Sequence, residues 1–340
     1  GETTFAQLLK KRGYATAIAG KWQLGREKDA PKHFGFDESL LWQHTRSGRS
    51  KLKGKTIDRR FENPYLERNG VEEEYTNGEF GPDLCTDFIC DFMSRKKDQP
   101  FLVYYPMILT HCPWGPVPGS KGWDPKRLGS PTYKGQPKYF GTMASHMDQL
   151  VGRIVKHVKA EGLENRTIIL FTGDNGTDKP IVSDCHGVPV AGGKGLTLDT
   201  GTHVPFVAYA PGRIAAGVNK DLIDFTDFLP TLCELAGVEL DEKSGKFDGR
   251  SFAPALAGKS WVSRDHVFCW YSRSGKYARD LKVFARSHRY KLYRNGKFFD
   301  LKNDPLENHA IKPDSLTKKQ QAVWQKLEAV IAKRKQLSGR

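Results

Sequence analysis

The stretch "GYATAIAGKWQLG", residues 13–25, decides how the chain is read. "ATAIAG" is short and made of small or apolar residues, the pattern of a strand buried on both faces. It runs into Gly20, Lys21 and Trp22, and a further glycine follows at position 25. Glycines remove side-chain bulk and let a ligand approach the backbone. A lysine set between them at a strand end is placed to meet an anion. The segment in front, "TTFAQLLKKR" (residues 3–12), predicts a helix. Thr3 or Thr4 caps it, Phe5, Leu8 and Leu9 share one face, and Gly13 ends it. In an α/β sheet a helix that feeds a strand normally follows an earlier strand. A first strand is therefore expected ahead of Gly1.

The same design recurs three times. "PFLVYYPM" (residues 100–107) reads as an apolar strand and runs into the proline-rich "ILTHCPWGPVPG". "TIILFTGDNG" (167–176) reads as a buried strand ending in a tight turn. "GVPVAGGKGLTLDTGTHVPF" (187–206) carries a lysine in a glycine-rich loop. In α/β sheets the loops beyond the carboxyl ends of the strands build the site. The polar groups offered there are Lys21, Gln23, His111, Asp174, Asn175 and Lys194.

Asp174 and Asn175 are adjacent oxygen donors, a carboxylate and an amide carbonyl, which suit a hard cation such as Ca²⁺ or Mg²⁺. Ca²⁺ takes about 6–8 oxygens, so two are only part of a site. "DNG" is also a common turn, and that plainer reading stays open. Lone lysines usually face solvent and lone histidines are usually structural. The surrounding glycines tip Lys21, His111 and Lys194 toward a tetrahedral-oxyanion site beside a hard metal, which stabilises negative charge by fixed electrostatics.

Elsewhere, apolar spacing predicts helices over residues 82–95, 142–160, 224–237 and 316–335, with Gly237 closing the third. "VPFVAYAPG" reads as another strand, residues 26–80 as polar and irregular with weak strand signals, and residues 116–140 as loop. Beyond residue 258 short strands follow one another, and Asn295-Gly296 signals a hairpin. The expected organisation is an α/β main domain over residues 1–258 and a small antiparallel sheet with a helix over residues 259–340.

Of the 340 residues 38% are hydrophobic, enough to bury a core, and no apolar run approaches the roughly 20 residues that span a bilayer. The six cysteines form no CxxC pair, so neither a zinc framework nor a dense disulfide scaffold is expected. The net charge is +15, and residues 271–340 hold 18 Lys or Arg against 6 Asp or Glu. Such a region attracts polyanions. No nucleic-acid-binding motif accompanies it, so nucleic acid is not an expected partner.

Taken together, these segments resemble the type I sulfatases, the arylsulfatase-like branch of the alkaline phosphatase superfamily. "GYATAIAGKWQLG" resembles their signature Gly-Tyr-x-Thr-x-x-x-Gly-Lys-Trp-His-Leu-Gly. "FTGDNG" is similar to their metal-binding strand end, "GGKGLTLDTGTHVPFVAYAPG" to their lysine loop and "THCPW" to their histidine loop. "YKLYRNGKFFDLKNDPLEN" is similar to their C-terminal segment, which ends in Asp-Leu-x-x-Asp-Pro-x-Glu. The resemblance implies a mixed sheet sandwiched by helices and hydrolysis of sulfate esters. It implies that Asp174 and Asn175 are Ca²⁺ ligands, that Lys21 bridges nucleophile and sulfate, and that His111 and Lys194 bind sulfate oxygens and help the alcohol depart. The family nucleophile is a formylglycine made within C/S-x-P-x-R. That signature does not occur in this chain, and Cys112 in "HCPW" does not supply it. The family places the signature and two further metal-binding aspartates before the first motif. Both are expected upstream of Gly1, and the chain as it stands is expected to bind Ca²⁺ poorly and turn over little.

Gln23 stands where the signature has histidine. An amide hydrogen-bonds but is no general base; either another group such as His186 or His203 takes that role, or the full-length protein is slower, or it belongs to a subgroup that works without the histidine. The expected substrate is a sulfated carbohydrate or aryl sulfate, met by loops near residues 36–80, 114–140 and 178–190, where Trp42, Trp114 and Trp123 offer stacking faces. The alternatives are a phosphodiester or phosphonate hydrolase of the same superfamily and a non-catalytic binder of sulfated glycans. Family habit implies a periplasmic or extracellular location, although the chain shows no signal peptide.

Overall fold

The computed structural model describes residues 3–42, 45, 50–52, 55–240, 246–275 and 280–337. The chain forms two compact units, Gly1–Thr167 with Leu232–Lys246, and Ile168–Thr231 with Phe247–Arg340.

The first unit is built on a mixed five-stranded sheet. Its strands are β1 (Ala15–Lys21), β2 (Glu38–Trp42), β5 (Tyr65–Arg68), β6 (Val71–Glu74) and β7 (Phe101–Tyr104), in the order β6-β5-β2-β1-β7. A short hairpin, β3 (Ser50–Leu52) and β4 (Lys55–Ile57), stands apart from it. Strand β1 is the second of the order from one edge and runs parallel to both β2 and β7. Its first six residues are buried, as their small apolar character requires. The three parallel strands therefore direct Lys21, Trp42 and the loop bearing His111 to one sheet edge. Strands β5 and β6 continue the sheet in antiparallel sense through an Asn69-Gly70 turn, both residues at positive φ.

Helix α1 (Phe5–Lys11) begins at Thr4 in a capping box: Gln7 N donates to Thr4 Oγ1 at 3.1 Å and Thr4 N to Gln7 Oε1 at 2.9 Å. A short turn, α2 (Ala30–His33), follows β1. Ala6, Ile18, Trp22, Ala30, Phe36 and Leu41 form one buried cluster between these helices and the sheet. Helix α3 (Gly81–Lys96) packs on β1 and β2, and α4 (Phe140–Ala160) packs on α3. Asp83 of α3 joins the two helices, with its carboxylate 2.9 Å from His146 Nε2 and 3.1 Å from Arg153 Nη1.

The second unit holds β8 (Ile169–Thr172) paired antiparallel with β11 (Phe206–Tyr209). Between them lie a hairpin, β9 (Val182–Cys185) and β10 (Val188–Ala191), and the one-turn helix α5 (Asp199–Thr202). The chain passes between the units within α6 (Phe228–Leu235), which Gly237 closes at φ +66. A further turn, α7 (Ala253–Leu256), precedes a four-stranded antiparallel sheet. Its strands are β12 (Val267–Tyr271), β13 (Lys282–Arg286), β14 (Tyr290–Tyr293) and β15 (Phe298–Asp300), in sequence order. Asn295-Gly296 turns β14 into β15, as the dipeptide predicts. Helix α8 (Lys318–Leu337) covers this sheet, and Leu327 and Ile331 sink into a core with Val283, Leu292 and Phe298. The expected α/β sheet flanked by helices and the small C-terminal sheet with its helix are both present. The stretch read as irregular, residues 26–80, supplies β2, β5 and β6. All six cysteines are unpaired.

Two outcomes follow for stability. Asp37 ties the edge of β1 to α1, accepting from Thr16 N at 3.0 Å and Thr16 Oγ1 at 2.9 Å and pairing with Lys10. Burial alone would raise this carboxyl, but Lys10 and Thr16 hold it below 3.8. The stabilisation is present above the unfolded-state value and lost as pH falls through the lower folded-state value. Asp37→Asn lowers the urea midpoint at neutral pH and flattens its fall below roughly pH 4. Leu327→Ala, at a position 1% exposed, costs about 2–5 kcal/mol in urea unfolding.

Candidate active site

In the first unit the glycine before Lys21 is obligatory. Gly20 sits at φ +108, and a Cβ there would meet the Pro106 carbonyl oxygen far inside van der Waals contact. The neighbouring Lys21 N–H donates to that same oxygen at 2.9 Å. The end of β1 is thereby locked to the turn that leads to His111. Trp22 is buried; its Nε1 donates to Gly25 O at 3.1 Å and its ring meets Phe34 edge-on at 5.5 Å. The tryptophan anchors the loop and Lys21, half-buried, stands at its base. Gln23 is exposed beyond it.

His111 meets an unforeseen partner. Its Nδ1 lies 2.8 Å from Arg60 Nη1 and 2.6 Å from the Cys112 carbonyl oxygen. Arg60 is itself buried and held by Asp58, with Nε on Oδ1 at 2.8 Å and Nη2 on Oδ2 at 2.6 Å. Its guanidinium centre lies 4.5 Å from the centroid of the Trp42 ring. A guanidinium donates and never accepts. His111 Nδ1 thus faces a donor and, closer still, a carbonyl that only accepts: accepting from Arg60 puts the ring proton on Nε2, whereas donating to Cys112 O keeps it on Nδ1. Cys112 is 2% exposed, a buried thiol rather than an accessible nucleophile. A cavity of about 270 Å³ opens beside this group. Asp58, Glu62, Trp114, Arg127, Gln136 and Tyr139 are among its lining residues. Trp114 is nearly all buried in the wall, and Trp123 packs edge-on against Phe80 at 5.6 Å.

In the second unit, the turn with Asp174 and Asn175 and the loop with Lys194 come together. Gly176 N donates to Gly201 O at 3.0 Å, and Lys194 N donates to Thr177 O at 2.9 Å. A Cβ at Gly176, Gly193 or Gly201 would run into the opposing backbone. Both segments are thus docked against α5. Asp174 is exposed, while Asn175 and Lys194 are half-buried. As chemistry, an exposed carboxylate beside an amide carbonyl fits a hard cation, with further oxygens needed. Among the described residues no three His, Cys, Asp or Glu side chains gather as a ready-made metal centre. His186 is exposed at the β9–β10 turn, at φ +53, and His203 is exposed 3.8 Å from Asp199.

Arg60 and the Cys112 carbonyl favour opposite tautomers of His111, and nitrogen NMR of histidine-labelled protein reads which one prevails. With Arg60 as the governing partner, Nδ1 of His111 is unprotonated in the native chain. Arg60→Met removes the donor and leaves the Cys112 carbonyl, so the proton should move to Nδ1. An unchanged spectrum would show that Arg60 does not govern the ring.

Comparison with known proteins adds the family. The model of the Sulfatase family matches residues 1–238, and that described as N-sulphoglucosamine sulphohydrolase, C-terminal, matches residues 193–336. Arylsulfatase A of Bos taurus is 31% identical over 324 residues, covering 86% of this chain and 58% of that protein. N-acetylgalactosamine-6-sulfatase of Mus musculus is 30% identical over 280 residues, covering 77% and 50%. The chain thus spans little more than half the length of these curated relatives. In fold it is similar to the crystal structure of Ps i-CgsB in complex with k-i-k-neocarrahexaose, with a TM-score of 0.71 at 22% identity over 97% of this chain and 73% of that one. With the family model covering well over half of its residues, and its motifs lying at the strand ends where that fold builds its site, this chain belongs to the sulfatase family.

Proposed function

We propose that the chain is the bulk of a sulfuric ester hydrolase that removes sulfate from a sulfated carbohydrate or an aryl sulfate. The carrying observation is that the motif residues fall on glycine-locked loops beyond strand ends: Lys21 and His111 in one unit, Asp174, Asn175 and Lys194 in the other. In this reading Lys21 in the first unit and Lys194 in the second each offer an ammonium to sulfate oxygens, and a cation so placed offsets charge that grows as the ester bond breaks. His111, in the tautomer with its proton on Nε2, donates to the departing oxygen. Proton donation of this kind typically contributes about 10²–10⁴ in rate.

Asp174 and Asn175 would hold Ca²⁺, with Mg²⁺ the second choice, and a bound dication would polarise the sulfate oxygens. A formylglycine nucleophile belongs to the same proposal. Carbohydrate is favoured by the N-acetylgalactosamine-6-sulfatase relative and by the cavity that sets Trp114 and Tyr139 near Asp58, Glu62 and Arg127. The basic residues after position 270 add long-range attraction for a polyanion. The division into a catalytic domain, residues 1–258, and a C-terminal subdomain, residues 259–340, is likewise proposed. So is a periplasmic or extracellular location, by family analogy. The described residues hold no helix long and apolar enough to cross a membrane.

Inorganic sulfate tests the anion site by calorimetric titration. Lys21→Ala and Lys194→Ala should each weaken binding by about tenfold or more, in line with the loss of a charge-assisted hydrogen bond. Unaltered affinity in both variants would remove them from the site. For the metal, Asp174→Ala should abolish any rise in melting temperature produced by Ca²⁺.

A further inference from the structure

The C-terminal sheet buries an ion pair that the site chemistry does not use. Lys291 on β14 is wholly buried and lies 2.7 Å from Glu307 Oε1, whose side chain is 3% exposed. The ammonium also sits 4.1 Å from the centroid of the Phe284 ring. Glu307 closes the "DPLEN" segment at φ +56, a conformation few non-glycine residues adopt. Removing both charges from water is expensive, and an apolar pair of equal volume is often as stable or more so. Stability alone is thus a weak reason for this pair.

Its further contacts supply a reason. Lys291 Nζ also donates to the backbone carbonyl of Thr197. Tyr293 OH donates to Glu307 Oε2 at 2.6 Å and lies 3.1 Å from Thr197 Oγ1. Arg286 on β13 grips Asp199 with Nη1 at 2.7 and 2.6 Å from the two carboxylate oxygens. Thr197 and Asp199 lie three and five residues after Lys194. The loop between β10 and α5 holds Gly192, Gly193 and Gly195 and no regular structure; backbone bonds from Gly192 to Ile181 and from Lys194 to Thr177 fix its near flank, and the side chains above reach its far flank. We propose that Lys291, Glu307, Tyr293 and Arg286 are positioning residues, which clamp the far flank of the loop and thereby set where the Lys194 ammonium stands. The family's C-terminal Asp-Pro-x-Glu segment then serves the lysine loop rather than the sheet. That this placement matters for sulfate rests on the function proposed above.

Hydrogen exchange by mass spectrometry tests the clamp on the full chain, without turnover. Tyr293→Phe deletes one hydroxyl with little change in volume, and Lys291→Met deletes the ammonium. In both, amides of residues 194–199 should exchange about tenfold faster or more, as expected when local opening loses a hydrogen-bonded anchor. Amides of β13 and β14 should keep their native rates, and the affinity for inorganic sulfate should fall by about tenfold. Glu307→Gln, which keeps an acceptor for Tyr293, should loosen the loop less than Lys291→Met. Should Lys291→Met fail to fold, Tyr293→Phe decides alone. Native exchange over 194–199 in folded variants overturns the proposal, as does loosening spread evenly across the sheet. A loosened loop, combined with sulfate binding that ignores Lys194→Ala, upholds the clamp and removes the sulfate reading instead.

Discussion

Contact of backbone on backbone at glycine is the constraint from which the rest of the structure follows. At Gly20 the end of β1 presses on the Pro106 carbonyl, and the neighbouring Lys21 amide bonds to the same oxygen. At Gly176, Gly193 and Gly201 two separate loops press on one short helix. A side chain at any of these points would force the loops apart. At Gly20 it would also meet the left-handed backbone, which costs an L-residue about 1–2 kcal/mol by itself. The lysines stand beside these contacts and are carried by them. A loop rich in glycine is flexible in isolation. Here the glycines serve close packing, and packing restores the rigidity that an electrostatic site requires.

Charge is arranged by the same logic. Cations near the motif residues are steadied by carboxylates, two of them buried: Arg60 by Asp58, Lys291 by Glu307, and Arg286 by the half-buried Asp199. Each such pair stabilises the fold weakly, because desolvation offsets attraction. What each fixes is geometry. Arg60 is held against Nδ1 of His111, and Lys291 reaches the loop of Lys194. Positive groups held without a rotamer search meet a tetrahedral anion with little reorganisation, which is where fixed electrostatics gains its advantage over water.

Much of this was legible in the residues. Thr4, one of two candidate caps, begins α1, the apolar spacing of residues 142–160 gives α4, and Asn295-Gly296 gives the last hairpin. Strand β2 was not legible, because "ESLLW" is short and sits among polar residues. Yet it lies beside β1 and three of its five residues are buried. The β5–β6 hairpin did carry a signal, Asn69-Gly70, but "VEEE" has no apolar alternation to support it. Among site residues, the glycine-flanked lysines stood out through their company. Asp58 and Arg60 did not, since "DRRF" reads as a solvated charge run. Only the fold shows that its second arginine is buried against Trp42 and His111. Lys291 and Glu307 were hidden for the same reason: a lysine in a strand is ordinarily an outward-facing one.

Glycine contacts hold the cationic loops of each unit ready for a tetrahedral anion. A crystal structure of the protein soaked with inorganic sulfate tests this most directly. Sulfate is predicted within hydrogen-bonding reach of the Lys21 ammonium at the end of β1, or of the Lys194 ammonium in its glycine-rich loop. Sulfate bound away from both lysines, with their ammonium groups turned to open solvent, would contradict it.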